Sequence, residues 1–162
     1  MGFKNQPSQL SPLLKEIHFG FLPPHRVAGM GEPWLGKMPR THEDLRKQGI
    51  GAILTLTEDN LYGDLHRQAG FRLRHEPMDD GEAPAVAALE RAVVFIDLAL
   101  EKGEGVAVHC QEGRGRTGTV LGAWLAAWEN LSGEETIVRL RSLRPYTALS
   151  PSQKAFLLDY LG

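Results

Sequence analysis

The chain has 162 residues, and this length corresponds to one domain, since domains contain roughly 100–200 residues. Its composition, 42% hydrophobic and 23% charged, excludes an intrinsically disordered or low-complexity chain. The formal net charge of −2 excludes a general polycation, so we expect no nucleic-acid partner.

The chain contains a single cysteine, Cys110, which excludes an internal disulfide and every zinc site built on paired cysteines. Its other candidate ligands lack metal-ligand spacing, so we expect no metal and no cofactor; these are His18, His25, His42, His66 and His75. No apolar run approaches the roughly 20 residues that span a bilayer. The first residues also lack the pattern of a signal peptide, so we expect a protein of the reducing cytoplasm.

The first half of the chain predicts an irregular lead-in over 1–16, followed by short strands and helices. Thr41 and Asp44 resemble a capping box and place a helix start at Thr41. We expect a strand over 25–29, a loop over 33–39, a helix over 41–48, a strand over 52–57, a helix over 60–69 and a strand over 71–76.

The second half predicts a loop over 78–84, a helix from Pro84, a strand over 106–109 and then three helices. The helix from Pro84 carries apolar residues at spacings of three and four, which indicate one buried stripe: Val86, Leu89, Val93, Ile96 and Leu100. We expect the last three helices over 117–128, from a Ser132/Glu135 capping box to about 144, and from Ser150-Pro151 to about 161. Strands that alternate with helices predict an α/β fold with a central mixed or parallel sheet flanked by helices.

The segment 108–118, VHCQEGRGRTG, lies where a buried strand passes into a helix. At such a junction unpaired backbone N–H groups and the helix dipole favour an anion. Two glycines let the loop curl, so that successive N–H groups converge on one phosphate. The predicted phosphate-binding residues are Gln111, Glu112, Gly113, Arg114, Gly115 and Arg116. Arg116 adds a guanidinium fork that matches two phosphate oxygens.

Cys110 lies at the base of this loop and is the candidate nucleophile, since the thiolate is the attacking form of a thiol. The helix dipole, the converging amides and the Arg116 guanidinium all stabilise a thiolate. The Thr117 hydroxyl is placed to hydrogen-bond the sulfur, and His109 to orient the loop through backbone hydrogen bonds. The alternative is a buried, inert cysteine, but a chance match to the whole pattern is on the order of one in a million.

Residues 109–118, HCQEGRGRTG, resemble the signature loop of the cysteine-dependent protein tyrosine phosphatase superfamily. The small size of the chain is similar to the dual-specificity branch, in particular its small atypical, VHZ-like members and their prokaryotic relatives. The supporting stretches are HRVAGM at 25–30, AILTLTE at 52–58, MDDGEAP at 78–84 and LRSLRP at 140–145. The resemblance covers about residues 17–160.

The resemblance implies a single catalytic domain over 17–162 with the protein tyrosine phosphatase fold, and hydrolysis of phosphomonoesters through a phosphocysteine. It implies a phosphorylated protein or peptide as substrate, with phosphotyrosine favoured and phosphoserine or phosphothreonine possible, and inorganic phosphate or another oxyanion in the loop. It also implies a general acid on a loop before the cysteine. Asp79 and Asp80 both fit by position, and the family spacing to Pro84 favours Asp80; the alternative role is a solvated turn beside Gly81.

Two further residues have two interpretations each. Gln153 matches a glutamine that positions water in some relatives, but Ser150 and Gln153 also form an ordinary capping box. Glu58 resembles an acidic residue that contacts substrate in prokaryotic relatives, and it is otherwise a plain helix-start acid.

Other features leave alternatives open for the substrate. Arg114 favours a second phosphate, as in phosphoinositide phosphatases, while Gln111 and Glu112 weigh against a polyanion. Inositol phosphates, an RNA 5′-phosphate and a non-catalytic phosphopeptide-binding role remain as alternatives. We interpret Trp124 and Trp128 as core residues. The cluster Arg139, Arg141 and Arg144 is interpreted as a solvated helix face, with substrate steering as its alternative.

Overall fold

Five strands form one sheet at the centre of residues 9–162, the part of the chain that the computed structural model describes. The strands are β1 (Gly20–Phe21), β2 (Val27–Met30), β3 (Ile50–Thr55), β4 (Arg72–His75) and β5 (Gly105–His109). Their order across the sheet is β1-β2-β5-β3-β4. The first pair is antiparallel and the other three pairs are parallel, so the expected mixed sheet is confirmed.

Helices cover both faces of this sheet. They are α1 (Pro12–Glu16), α2 (Met38–Lys47), α3 (Gly63–Gln68), α4 (Val86–Glu101), α5 (Gly115–Glu129), α6 (Gly133–Leu143) and α7 (Pro151–Leu161). Alternate residues of β5 belong to different cores: Val106 and Val108 pack with α4 and α5, whereas Ala107 packs with Leu14 of α1 and Leu45 of α2. No helix within residues 9–162 is long and apolar enough to cross a membrane.

The N-terminal prediction omits the short strand β1, and it differs from the structure at α1 and at the start of α2. Residues 1–8 lie outside the described residues, but Pro12–Glu16 form a helix that the Ser11 side chain caps, so the irregular lead-in is wrong there. The Thr41 capping box is also wrong, because α2 already begins at Met38 and the Thr41 hydroxyl donates to Lys37 O inside the helix. Pro39 explains this earlier start, since its missing N–H costs nothing in a first helical turn.

The buried face of α4 is rotated from the expected stripe. Val86 is 44% exposed, whereas alanines one or two positions from the stripe are buried; the buried residues are Ala88, Leu89, Ala92, Phe95, Ile96 and Ala99. Small side chains on this face let the helix lie close to the sheet. The predicted stripe missed them because it was based on large apolar residues alone. Trp124 is a core residue as expected, but the core interpretation of Trp128 is wrong, since its side chain is 59% exposed.

The parallel strands place the site. The carboxyl ends of β2, β3, β4 and β5 all point to one edge of the sheet, the usual position of sites in α/β folds. Four loops follow these ends and lie side by side, at 31–34, 56–62, 76–85 and 110–114. The signature segment, the candidate acids and Glu58 therefore share one edge.

Candidate active site

The loop between β5 and α5 curls tightly at Gly113. This residue has a φ of +79°, and a Cβ atom built on it would lie 2.5 Å from the Met30 carbonyl carbon. Only glycine adopts that backbone at no steric cost and leaves room for β2 so close by. The two requirements together explain why a glycine stands at this position of the motif.

The Cys110 sulfur lies at the base of the loop, with 3% of the residue exposed. Sγ accepts hydrogen bonds from the Gly113 N–H, at 3.3 Å, and from the Thr117 hydroxyl, at 3.2 Å. Donors that point at sulfur stabilise its anionic form. The sulfur, a backbone amide and a hydroxyl thus lie together where the spacing of the motif predicts them.

Arg116 connects this loop to two others. Its guanidinium, 4% exposed, donates to Glu58 Oε1 after β3 and to Met78 O after β4. Its Nη2 also lies 3.6 Å from Asp80 Oδ1. Hydrogen bonds from the Glu58 backbone and from Arg116 hold the pKa of the Glu58 carboxyl below its usual value. Glu58 therefore lies in the site as an anion that orients the arginine.

The two candidate acids differ in position. The Asp80 side chain is 79% exposed and faces the Arg116 guanidinium, whereas Asp79 makes no ion pair within residues 9–162. Their loop turns at Gly81, whose φ is +76° and whose carbonyl accepts a 2.7 Å hydrogen bond from the Ser150 hydroxyl. The N-terminus of α7 thus anchors the loop one residue from Asp80.

Gln153 fits both of its interpretations. The capping box with Ser150 is present, and Gln153 Oε1 accepts the Ser150 N–H at 2.9 Å. The residue is nevertheless 1% exposed and its Nε2 has no partner among the described residues. A Cβ on Gly115 would lie 2.6 Å from its Oε1 and 3.0 Å from its Nε2, so this amide packs directly on the signature loop.

His109 lies behind the loop and makes two hydrogen bonds. Its Nε2 pairs with the Thr55 hydroxyl at 2.8 Å and its Nδ1 lies 3.2 Å from Cys110 O. Burial lowers the pKa of His109 to about 4, although the contact with the Cys110 carbonyl opposes this shift. The ring is therefore neutral at pH 7, which suits an orienting role better than that of a base.

Arg144 corrects the expectation of a solvated basic face. Arg141 is exposed and Arg139 pairs with Glu129, but Arg144 is 3% exposed. It donates from Nη1 to Gly113 O, at 2.6 Å, and from Nη2 to His18 O, at 2.9 Å. One feature of the sequence indicates that a side chain packs here: Gly29 lies inside the apolar strand β2. A glycine within a strand often marks a place where another group approaches the backbone closely.

The outer side of the signature loop faces a cleft of about 420 Å³ that Trp34 and Tyr146 help to line. Gln111, Glu112 and Arg114 form its inner wall. The Arg114 guanidinium lies over the Tyr146 ring, 4.2 Å from its centroid, and is thereby held beside the signature loop. No cluster of three or more metal-ligating side chains occurs within residues 9–162.

The sheet and the signature loop define the protein tyrosine phosphatase class of α/β proteins. The solved structure of Tk-PTP in the active form is similar to this chain, with a TM-score of 0.77 and 26% identity, over 89% of this chain and 95% of that one. The family model for the polymorphic toxin system DSP-PTPase phosphatase matches residues 28–129, which include the signature loop. The chain belongs to this DSP-PTPase family.

Two relatives indicate the range of the family. The phosphatidylglycerophosphatase and protein-tyrosine phosphatase 1 of Rattus norvegicus is 34% identical over 136 residues, which are 78% of this chain and 70% of the relative. The dual specificity protein phosphatase CDC14C of Homo sapiens is 26% identical over 157 residues, or 96% of this chain. The chain spans about a third of the length of the CDC14C and CDC14B relatives that it matches.

Proposed function

We propose that this chain hydrolyses phosphomonoesters through a covalent phosphocysteine on Cys110. The observation that carries the proposal is the pair of hydrogen bonds to Cys110 Sγ, from the Gly113 N–H and the Thr117 hydroxyl. Gly113 lies in the signature loop and Thr117 in the first turn of α5, and the buried Arg116 lies between them in the chain. The nucleophile and the proposed phosphate binder therefore belong to one short segment. An inert core cysteine does not require this arrangement.

The first step forms the phosphocysteine. The amides of 111–116 and the Arg116 guanidinium hold the phosphoryl oxygens, and the Cys110 thiolate attacks phosphorus. The bond from phosphorus to the leaving oxygen breaks as the sulfur–phosphorus bond forms. Asp80, in its acid form, gives its proton to the leaving alkoxide or phenoxide.

The second step releases phosphate. A water molecule attacks phosphorus, Asp80 as carboxylate takes the water proton, and the sulfur leaves as a thiolate. The Thr117 hydroxyl stabilises that thiolate as it departs. Gln153 supports water placement in this proposal, because its free Nε2 lies against Gly115 of the loop. His109 and Glu58 orient the loop and Arg116.

The proposed substrate is a phosphorylated protein or peptide, with phosphotyrosine favoured and phosphoserine or phosphothreonine also accepted. The dual-specificity name of the CDC14 relatives supports this class. A phospholipid headgroup is the second candidate, because the rat relative, named for both activities, aligns over most of both chains. Glu112 at the rim disfavours more highly charged phosphates. We assign the activity to residues 17–162 and to a reducing compartment such as the cytoplasm, which keeps the thiol free.

The test compares carboxylate variants that differ only in position. Asp80→Asn should lower kcat for p-nitrophenyl phosphate by about 10²–10⁴-fold, the usual loss of a general acid, whereas Asp79→Asn should stay within about threefold of the parent protein. Cys110→Ser should abolish turnover while it leaves circular dichroism unchanged. Full activity of Cys110→Ser would refute the mechanism, and loss of kcat in Asp79→Asn alone would transfer the acid to Asp79.

A phosphopeptide panel separates the functional alternatives. Phosphotyrosine, phosphothreonine and phosphoinositide turnover are measured side by side at equal enzyme concentration. Preferred phosphopeptide turnover supports the proposed substrate class, and preferred phosphoinositide turnover supports the second candidate. Stoichiometric phosphopeptide binding without any phosphate release contradicts catalysis and identifies a binding module.

A further inference from the structure

Arg144 is a buried cation without a carboxylate partner in the described part of the chain. Its guanidinium donates to two backbone carbonyls, of Gly113 and His18, and its Nη1 lies 3.4 Å from the Thr147 hydroxyl. Its Nε has no partner, and no ion pair of residues 9–162 includes it. An unpaired buried charge is costly, and burial accordingly lowers the pKa of Arg144 to about 10. The hydrogen bonds of Arg144 are all to uncharged groups, so no acidic side chain among residues 9–162 balances its charge.

The guanidinium lies beside both donors to the Cys110 sulfur. It binds the carbonyl of Gly113, whose N–H points at Sγ. A methyl group placed on Gly29 would lie 2.9 Å from both the Arg144 Cζ and the Thr117 Cγ2, so the glycine makes room for the two side chains together. Arg144 therefore contacts the signature loop from the side of β2, through the Gly113 carbonyl.

The groups that face Arg144 are few. The Cys110 thiol and the Tyr146 phenol act on it electrostatically, and both favour its charged form. The centroid of the Tyr146 ring lies 5.5 Å from the Arg144 Cζ. The Arg114 guanidinium and the His18 ring also pack on the Tyr146 ring. No carboxylate belongs to this set. The anion that remains for Arg144 is the sulfur of Cys110, or a phosphate in the loop.

We propose that Arg144 is a positioning residue for Cys110: it fixes the Gly113 carbonyl, so that the Gly113 N–H points at the sulfur, and it supplies from behind the loop the positive charge that keeps the sulfur ionised. This inference rests on the proposed function of Cys110 as nucleophile. The same charge acts on the phosphocysteine, from which the thiolate must depart. Arg116 binds the phosphate directly, whereas Arg144 acts only through the loop.

The experiment measures alkylation of the single cysteine by iodoacetamide, without substrate, in Arg144→Gln and in the matched control Arg141→Gln. Arg141 lies on α6, is exposed and makes no ion pair within residues 9–162, so its removal changes the net charge equally. We expect the pH at which the rate is half-maximal to rise by about one unit in Arg144→Gln, so that below this pH the rate falls about tenfold relative to that at about pH 9. Arg141→Gln should keep the parent ratio. An unchanged ratio in folded Arg144→Gln, or an equal fall in Arg141→Gln, overturns the proposal.

Arg144→Lys keeps the charge but lacks the planar fork that holds two carbonyls. We expect its alkylation ratio to stay within about threefold of the parent and its kcat to fall about tenfold. This variant also decides the question if Arg144→Gln does not fold, because a parent-like kcat in Arg144→Lys contradicts the positioning role. Alkylation of Cys110 needs no catalytic turnover, so the two proposals fail separately. If the parent protein hydrolyses no phosphomonoester, the proposed function is refuted. The ratio of alkylation rates at low and high pH still tests the role of Arg144.

Discussion

At the residue scale, the hydroxyl of Thr117 has one partner that matters for chemistry, the Cys110 sulfur at 3.2 Å. Thr117→Val keeps the shape of the buried side chain and removes this donor. Hydrogen bonds to charged groups contribute about 1.5–3 kcal/mol, so we expect kcat to fall about 10–100-fold, with release of the phosphocysteine as the slow step. Rapid-quench kinetics with p-nitrophenyl phosphate measure both the initial burst and the steady rate.

The control for this prediction is Thr117→Ser, which returns the hydroxyl without the methyl group. It should recover most of the lost kcat, and both variants should unfold near the temperature of the parent protein. If Thr117→Val turns over at the parent rate, the hydrogen bond has no part in the departure of the sulfur.

The sequence predicts those site residues that lie in one continuous segment. Cys110, Arg116 and Thr117 follow from spacing, because the strand-to-helix turn that joins them is local. The choice of Asp80 over Asp79 depended on family spacing, and the structure adds its 3.6 Å approach to Arg116. Arg144 was misinterpreted, since an arginine at the end of a helix is usually solvated, and its burial results from contacts with segments 31 and 126 residues away.

At the scale of the element, α6 and α7 begin with the same capping box but differ in what the serine contacts. Ser132 caps α6 only, whereas Ser150 caps α7 and also donates to Gly81 O. Gly81 belongs to the loop over 76–85 that carries Asp80, which we call the acid loop. Loss of an N-cap costs about 0.5–2 kcal/mol. We expect Ser132→Ala and Ser150→Ala to lose similar stability, but only Ser150→Ala to lower kcat, by about tenfold, because its acid loop is no longer anchored.

Urea unfolding and kcat with p-nitrophenyl phosphate are measured on both variants. The first gives the contribution of the helix cap to stability, and the second gives the contribution of the hydrogen bond to Gly81 to activity. Equal kcat values for Ser132→Ala and Ser150→Ala would show that the hydrogen bond to Gly81 does not hold the acid in place. A fall in kcat that recovers at lower temperature in both variants would instead indicate a loss of folded protein.

The sequence predicts a helix start correctly where a capping box has no other start signal beside it, and wrongly where a nearby proline begins the helix earlier. The boxes at Ser132 and Ser150 are confirmed, since side chain and backbone meet within one turn. Thr41 and Asp44 have the same spacing, but Pro39 had already begun the helix. The buried face of α4 differs from the prediction because it includes Ala88, Ala92 and Ala99, which a pattern of large apolar residues does not include.

At the scale of the whole molecule, the mixed sheet followed from the alternation of strands and helices, but its strand order did not. β5 lies between β2 and β3, and this pairing joins segments far apart in the chain. Such pairings leave no local pattern in the sequence. They nevertheless create the site, because they place the loop after β5 next to the loops after β2 and β3.

Three buried histidines, His42, His66 and His109, couple the stability of this fold to pH, because burial lowers the pKa of each. Burial, with smaller effects from the His109 and His42 charges, lowers the pKa of His66 to about 3, and burial lowers the pKa of His109 to about 4. In an unfolded chain the pKa of a histidine is about 6.5. Above that pH neither state binds protons at these sites. Below it the unfolded state takes up protons at these sites before the folded state does, so stability falls as the pH falls.

His66 and His109 each contribute a slope of about 1.4 kcal/mol per pH unit between about pH 6 and pH 4.5. His66→Gln removes one of them and keeps an amide that can donate or accept in the 2.8 Å hydrogen bond with His42 Nε2. We therefore expect the free energy of unfolding in urea to fall less steeply with acidification in His66→Gln, by about 1.4 kcal/mol per pH unit. Parallel slopes for the two proteins would mean that His66 is already protonated in the folded state, which its burial at 1% exposure opposes.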